Sequence, residues 1–255
     1  SLSELQDEII HSSNQYEVQN SSHEKTLGPL GKYWYYFKWY DKKGIMTYLR
    51  SSYGKEEEIV LECNYHDIQP STSMSLSVDE EYLVYIHTPL SGEKEEMRVR
   101  HISTGNIYSL TMERNGTIAQ VEFGGDSDGG RYSIYYTTTN HLNQPSYVHY
   151  TSFTPPNHHS TTSNVTSLTI QSKCIYQEIN PQNVLDISRS KGTKYIILNS
   201  TSKTCNEVHL LLKGKEKTIL VRPRQEFVTY HVECGTEEED VILLMNCTGR
   251  EVEEV

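Results

Sequence analysis

The sequence predicts an all-β protein, a β-propeller, with a short helix at its amino end. Two observations predict this fold. Groups of strands separated by similar turns recur, and the second strands of successive groups lie 50, 62 and 47 residues apart, counted at Tyr85, Tyr135, Ile197 and Leu244. These strands are apolar on consecutive residues, as strands buried on both faces are. A repeat of about 50 residues built from four strands is typical of a propeller blade.

A β-sandwich of similar strands is the main alternative to a propeller. Its one-sided sheets would alternate apolar and polar residues, and it would not explain why the same order of turns returns. The interval of 62 residues contains a polar low-complexity insert, Thr154–Ser167. Without that insert the period would again be about 50 residues, which favours the propeller.

The predicted helix lies at the amino end. Ser3 followed by Gln6 is a capping-box pattern. The apolar residues of this segment fall on one helical face: Leu2, Leu5 and Ile9. We therefore assign residues 1–30 to a helix and linker and residues 31–255 to the propeller.

Four blades and the first two strands of a fifth are predicted after the linker. The first blade is predicted from three strands: Lys32–Tyr40, Ile45–Arg50 and Glu57–Cys63. The second contains Ser75–Thr88 and Met97–Leu110, and the remaining blades begin with the segments Ala119–Thr139, Val184–Thr201 and Val228–Cys247. The third blade continues through SYVHYTSF and SLTIQSKCIYQE, and the fourth through EVHLLLKGKEKTILV.

Composition excludes several classes of function. A formal net charge of −11 argues against a nucleic-acid or anionic-membrane surface. The amino end is polar and acidic, and no apolar run approaches the roughly 20 residues of a membrane span. Five scattered cysteines, an odd number, indicate reduced thiols rather than a disulfide framework or a zinc site. We expect a cytoplasmic protein with no cofactor, no metal, no nucleic-acid partner and no membrane contact.

One motif matches a catalytic pattern. The segment Gly125–Gly129, GDSDG, fits G-x-S-x-G, which in α/β-hydrolases is a sharp turn from a strand into a helix. The residues after Gly130, RYSIYYTTT, are rich in Tyr, Ile and Thr and predict a strand instead. Asp126 and Asp128 would also raise the cost of forming an oxyanion beside Ser127. We interpret Ser127 as a turn residue, and we predict no catalytic residue in this chain.

Two groups of residues suggest metal binding but lack the remaining ligands. Asp126 and Asp128 fit the start of a calcium loop, yet no third Asp or closing Glu follows at the required spacing. His158 and His159 lie in the polar insert without an adjacent Cys or acidic residue. We interpret both groups as parts of loops.

An aromatic and an acidic stretch also have structural interpretations. YWYYFKWY, residues 33–40, has the rings of a stacking platform for sugars or bases, but only Lys32 and Lys38 accompany it. It is better explained as blade core. The segment Gly235–Asp240, GTEEED, is interpreted as a solvated hairpin tip.

Five segments occur in the order known from one peptidase family: YWYYFKWYDKKGIMTYLR (33–50), SLSVDEEYLVYIHT (75–88), MRVRHISTG (97–105), YIILNSTSKTCNEVHLL (195–211) and RPRQEFVTYHVEC (222–234). With them the chain resembles the N-terminal region of the prolyl oligopeptidase family, and within it the oligopeptidase B group. The ordered match runs over roughly residues 1–248. Val78 stands where the family usually has Pro, and GGDSDGG enlarges one turn, which affects loop shape alone.

The resemblance implies a seven-bladed propeller that covers an α/β-hydrolase domain carrying Ser, Asp and His. It also implies that short peptides enter and are cleaved after basic residues, and that the amino-terminal helix packs on the catalytic domain. In that case the remaining blades and the catalytic domain lie outside these 255 residues. An acidic rim at Gly235–Asp240 would then attract basic peptides.

Two hypotheses of function follow. In the first, the chain is the substrate-gating propeller of a serine oligopeptidase, is inactive alone, and has its own catalytic domain and short peptides as partners. In the second, it is a non-catalytic propeller that scaffolds other proteins. An interrupted blade leaves an edge strand and an apolar face uncovered, so we expect the isolated chain to self-associate.

Overall fold

The structure is a computed structural model, and it describes residues 22–40, 43–52, 55–64, 74–89, 94–113, 115–124, 130–156, 165–190, 195–212, 217–234 and 241–247. Nineteen strands and no α-helix lie within these ranges. The chain divides into two compact units, Ser1–Ile68 and Gln69–Val255. The predicted amino-terminal helix lies outside the described residues.

The first unit contains one antiparallel sheet of four strands in sequence order. Its strands are β1 (Ser22–Leu30), β2 (Tyr33–Tyr40), β3 (Ile45–Ser51) and β4 (Glu58–Asn64). The assignment of residues 22–30 to a linker was therefore wrong. SHEKTLGPL lacks the apolar run of a buried strand, and it is ordered instead by backbone pairing with β2 along its length.

The aromatic stretch of β2 is blade core, as the sequence predicts. Tyr35, Tyr36 and Phe37 are buried. The Phe37 ring stacks on Tyr48 of β3 with centroids 4.5 Å apart. Arg50, also in β3, lies over the Tyr33 ring at 4.3 Å and pairs with Glu58 at 2.8 Å. These ring contacts bind β2 to β3, while Trp34 near the start of β2 stays exposed.

The second unit contains three complete blades and the start of another. Blade 2 has β5 (Met74–Leu76), β6 (Tyr82–His87), β7 (Glu96–His101) and β8 (Ile107–Thr111). Blade 3 has β9 (Ile118–Phe123), β10 (Tyr132–Thr139), β11 (Pro145–Phe153) and β13 (Ser172–Gln177). Blade 4 has β14 (Val184–Arg189), β15 (Tyr195–Thr201), β16 (Asn206–Leu212) and β17 (Thr218–Arg222), and β18 (Val228–Cys234) pairs with β19 (Val241–Cys247) to begin blade 5. The predicted count of blades is confirmed.

Successive blades of the second unit pack face to face. Every residue of β10 is buried, with Ile134 and Tyr136 in the apolar cluster shared with blade 2 and Tyr135 in the cluster shared with blade 4. A third cluster joins blade 4 to β18. Two-sided burial is thus the physical reason why the middle strands are apolar on consecutive residues.

One side chain fastens blade 5 to blade 4. Asn206, at the start of β16, accepts the Tyr230 N–H at 2.6 Å and donates to the Tyr230 carbonyl at 2.7 Å. Its carboxamide thereby satisfies both backbone groups of a buried residue in β18.

The end of the polar insert is the start of an unexpected strand. β12 (Val165–Thr169) pairs in parallel with β8 and becomes the fifth strand of blade 2, although it follows β11 of blade 3 in sequence. SLTIQSKCIYQE was assigned to blade 3, and for its first part that prediction was wrong. The segment is divided between β12 and β13, in two different blades.

Candidate functional site

The first strands of blades 2, 3 and 4 meet side by side. β5 contacts β9, and β9 contacts β14. Blades of a propeller surround a central channel, so the strands at which successive sheets converge are those nearest to it. We call β5, β9 and β14 together the first-strand wall. Each of these strands has one edge that pairs with no other described strand, and the N–H and C=O groups of that edge need other partners.

Side chains of neighbouring blades form hydrogen bonds with backbone N–H groups at these edges. Ser75 of β5 accepts the Phe123 N–H of β9 at 3.2 Å. Gln120 of β9 accepts the Ile187 N–H of β14 at 3.1 Å. Each blade therefore supplies a polar side chain to the open edge of the next, which fixes the register of the wall without closing it with a further strand.

An ion pair completes the wall. The Ser75 hydroxyl donates to the Glu122 carboxylate, and Arg189 of β14 lies 3.8 Å from the same carboxylate. Arg189 also donates to the Leu76 carbonyl at 2.6 Å. Burial raises the pKa of Glu122, and the charge of Arg189 and the Ser75 hydrogen bond offset only part of that rise. The wall is thus polar, and its charges are held by contacts that cross all three blades.

Peptide-bond chemistry needs a nucleophile beside a base and an oxyanion site. Within the wall as described, the Ser75 hydroxyl is buried and is bonded to a carboxylate. The geometry suits a lining that contacts a passing chain through hydrogen bonds and charge. It does not suit acyl transfer.

The motif around Ser127 is followed by a strand, as predicted. Ser127 itself, with its two Asp neighbours, lies outside the described residues. β9 ends at Phe123, the Gly124 N–H donates to the Ser133 carbonyl at 2.8 Å, and β10 then runs antiparallel to β9. A nucleophile elbow requires a helix at this position. The interpretation of Ser127 as a turn residue stays a prediction, and the strand that supports it is confirmed.

The other predicted loop groups also lie outside the described residues. His158, His159 and the segment Gly235–Asp240 belong to this set. In the part of the chain that is described, no three His, Cys, Asp or Glu side chains are grouped to hold a metal ion. None of the described segments is an apolar helix long enough to cross a bilayer.

The structure brings together one pair that the sequence did not suggest. His149 of β11 and Cys174 of β13 are directly opposite each other and line a cavity of about 540 Å³ together with Glu113, Thr138 and Tyr147. A cysteine beside a histidine resembles a nucleophile with its base. The strand register that makes them neighbours could not be read from the sequence, because β12 separates β11 from β13.

The protonation states of this pair do not support catalysis. Burial lowers the pKa of His149 to about 4, so the ring is neutral near pH 7. Its Nε2 atom lies 2.9 Å from the Thr138 hydroxyl rather than against a carboxylate. Partial burial of the sulfur raises the pKa of Cys174, and the thiol donates to the Tyr176 carbonyl at 3.4 Å. A neutral thiol beside a neutral imidazole is a weak nucleophile.

Cys174 is therefore expected to react with iodoacetamide at neutral pH no faster than an ordinary thiol. Its rate should rise about tenfold per pH unit up to its raised pKa, because only the thiolate reacts. A His149→Gln variant should react at the same rate. A rate that is already level below about pH 7, and that falls in the variant, would show an activated dyad.

Comparison with known proteins identifies the family. Residues 11–251 match the family described as prolyl oligopeptidase, N-terminal beta-propeller domain. The chain belongs to the prolyl oligopeptidase family. The matched region contains every described strand of both units, so all the blades described above are part of this family's propeller domain.

Relatives and solved structures agree with this membership. Protease 2 of Moraxella lacunata is 24% identical over 229 residues, which are 85% of this chain and 31% of that protein. Oligopeptidase B from Leishmania major has the same fold with a TM-score of 0.62 at 20% identity, over 90% of this chain and 32% of the other. Oligopeptidase B from Trypanosoma brucei, in a closed form with covalently bound antipain, gives 0.57 at 20% identity, over 92% and 32%. The chain spans about a third of the length of these relatives.

Proposed function

We propose that this propeller controls the access of short peptides to a serine peptidase active site formed by sequence outside residues 1–255. The observation that carries this proposal is the family match over residues 11–251, combined with relatives about three times as long. On this account the catalytic Ser, Asp and His belong to the further sequence. The described part of the chain contributes a polar wall instead of a triad.

The charge of the chain supports a preference for basic peptides. A formal net charge of −11 produces a negative potential that attracts cationic chains. Two carboxylates of the wall contribute to this negative charge: Asp186, which is exposed, and Glu122, which is paired with Arg189. We propose cleavage after basic residues on this basis. A reducing compartment such as the cytoplasm fits the free thiols of Cys174, Cys205 and Cys234.

The experiment compares the 255-residue chain with the product of any longer reading frame that contains it. Each is assayed with a fluorogenic dipeptide that has Arg before the scissile bond and with one that has Leu there. We expect no hydrolysis by the chain alone and hydrolysis of the Arg substrate by the longer product. Hydrolysis by the chain alone, abolished in a Ser127→Ala variant, would overturn the proposal.

A non-catalytic scaffold is the second candidate, because the first-strand wall as described suits hydrogen bonds and charge contacts with a bound chain. It predicts that the reading frame ends near Val255 or that the longer product hydrolyses neither substrate. The two candidates therefore give different results in the same assay.

A further inference from the structure

β12 connects two blades in an unusual way. The chain leaves blade 3 after Phe153, pairs as a parallel strand with the outer edge of blade 2, and returns to blade 3 at Ser172. Among the described blades, blade 2 alone receives a strand from the sequence of its neighbour.

Backbone hydrogen bonds hold β12 to β8. Five residue pairs are in register, from Val165 with Ile107 to Thr169 with Thr111. Beyond the last pair, the Ile170 N–H donates to the Thr111 carbonyl at 2.9 Å. Parallel pairing alternates along the strand, so every second N–H of β12 points at β8.

Alternation assigns the direction of the two central N–H groups. Counting back from Ile170, the N–H groups of Leu168 and Thr166 point at β8, and that of Ser167 points away. The side chains of Thr166 and Ser167 are both exposed. These two neighbouring residues are thus both exposed and differ in the direction of their N–H groups.

The carboxyl end of β12 is fixed to the seam between blades 2 and 3. Leu168 and Ile170 pack against the apolar cluster that the two blades share. The Thr151 hydroxyl donates to the Gln171 carbonyl at 2.6 Å, and the Tyr136 and Ser172 hydroxyls lie 2.5 Å apart. The chain is thus held by blade 2 through its backbone and by blade 3 immediately afterwards.

The seam between blades 3 and 4 is held differently. Its described polar contacts come from side chains: Gln120 donates to Asp186 at 2.5 Å, and the Tyr135 hydroxyl donates to the Leu212 carbonyl at 3.3 Å. No strand crosses this seam in the described ranges. Separating blades 3 and 4 breaks side-chain contacts, whereas separating blades 2 and 3 also requires the chain at residues 170–172 to leave either the β8 edge or blade 3.

We propose that β12 is a strap that keeps blades 2 and 3 together, so that these two blades move as one body. If blades open to admit peptides, which rests on the proposed function, the opening does not occur between blades 2 and 3. The strap itself depends on this chain alone and does not require a catalytic domain.

The test uses proline substitutions in the 255-residue chain and thiol probes buried at the two seams. Thr166→Pro removes an N–H that points at β8, and Ser167→Pro, the matched control, removes one that points away. Val121→Cys reports on the seam of blades 2 and 3, and Val148→Cys on the seam of blades 3 and 4, since both valines are buried in those clusters. The rate of modification of each probe by a thiol reagent is measured by peptide mass spectrometry under native conditions.

We expect Thr166→Pro to raise the modification rate of the Val121→Cys probe about tenfold or more, with the Val148→Cys probe unchanged. Ser167→Pro should change neither rate. Equal rates in the two proline variants, or equal acceleration of both probes, would overturn the strap. Hydrogen exchange of the Ser109 and Thr111 amides, which face β12, shows independently whether the ladder was broken. These measurements do not involve peptide hydrolysis, so they can fail while the proposed function stands.

Discussion

Replacing Arg224 with leucine is expected to lower the free energy of unfolding by about 3 kcal/mol near neutral pH. The Arg224 guanidinium binds the Glu178 carboxylate and donates to the Ser200 hydroxyl at 2.6 Å. The Glu178 side chain is only 3% exposed, and Ser200 donates to it at 2.5 Å. Without Arg224, a buried carboxylate would lose its counter-charge, which is the costly way to disrupt a buried pair.

The loss of unfolding free energy in Arg224→Leu should depend on pH. Burial by itself tends to raise the pKa of Glu178, but hydrogen bonds from Ser200 and the Asn180 N–H and the charge of Arg224 outweigh it, so the pKa lies below its usual 4.5. A lowered folded-state pKa stabilises the fold above the unfolded value and ceases to do so as the pH falls through the folded value. The difference between wild type and variant should therefore shrink as the pH falls below 4.5. Urea unfolding across this range measures it.

Arg222 provides the matched control. It is two residues away and exposed at the end of β17, so Arg222→Leu should change stability by no more than about 0.5 kcal/mol. Equal losses in both variants, or a loss in Arg224→Leu that is the same at all pH values, would show that the buried pair does not stabilise the fold.

Replacing Gly116 with alanine is expected to cost roughly 3 kcal/mol or more, from strain and overpacking together. Gly116 has a φ of 76°, in the left-handed region that disfavours residues with a Cβ. An added Cβ would lie 2.1 Å from the Thr139 carbonyl oxygen. That carbonyl is held in place, because the Thr139 N–H donates to the Thr117 carbonyl at 2.9 Å and the Thr139 hydroxyl accepts from the Thr117 N–H at 3.1 Å.

Gly130 is the control that distinguishes the cost of backbone strain from the cost of a steric clash. Its φ of 79° is nearly the same, but an added Cβ would meet no described atom within 4 Å. Gly130→Ala should therefore cost only the backbone strain, about 1–2 kcal/mol. Both variants are compared by thermal and denaturant unfolding. Equal losses would mean that the chain near Thr139 can move aside, contrary to the packing described here.

The blades could be predicted because their signal is local. Segments such as Tyr132–Thr139 are apolar on both faces, and similar turns separate them, so the sequence alone indicates strands packed between neighbours. β1 was missed because SHEKTLGPL has no such run and depends on pairing with β2. β12 was assigned to the wrong blade because a short strand can join any open edge, and the sequence does not say which edge is near.

The wall and the cavity depend on tertiary register and could not be predicted. Nothing local indicates that Ser75 accepts a backbone N–H from the next blade, or that Arg189 reaches the carbonyl of Leu76. Cys174 and His149 are opposite each other only because β13 returns to blade 3 after β12. The interpretation of Ser127 as a turn residue could be made from the sequence, because it depends only on the strand-forming residues that follow Gly130.

Covalent labelling by a serine-directed phosphonate, with the modified residue mapped by mass spectrometry, is the most direct test of the central claim. The account predicts that the 255-residue chain is not labelled and that a longer product of the same reading frame carries one adduct on a serine beyond Val255. An adduct on Ser127, or on any other serine of residues 1–255, would contradict it.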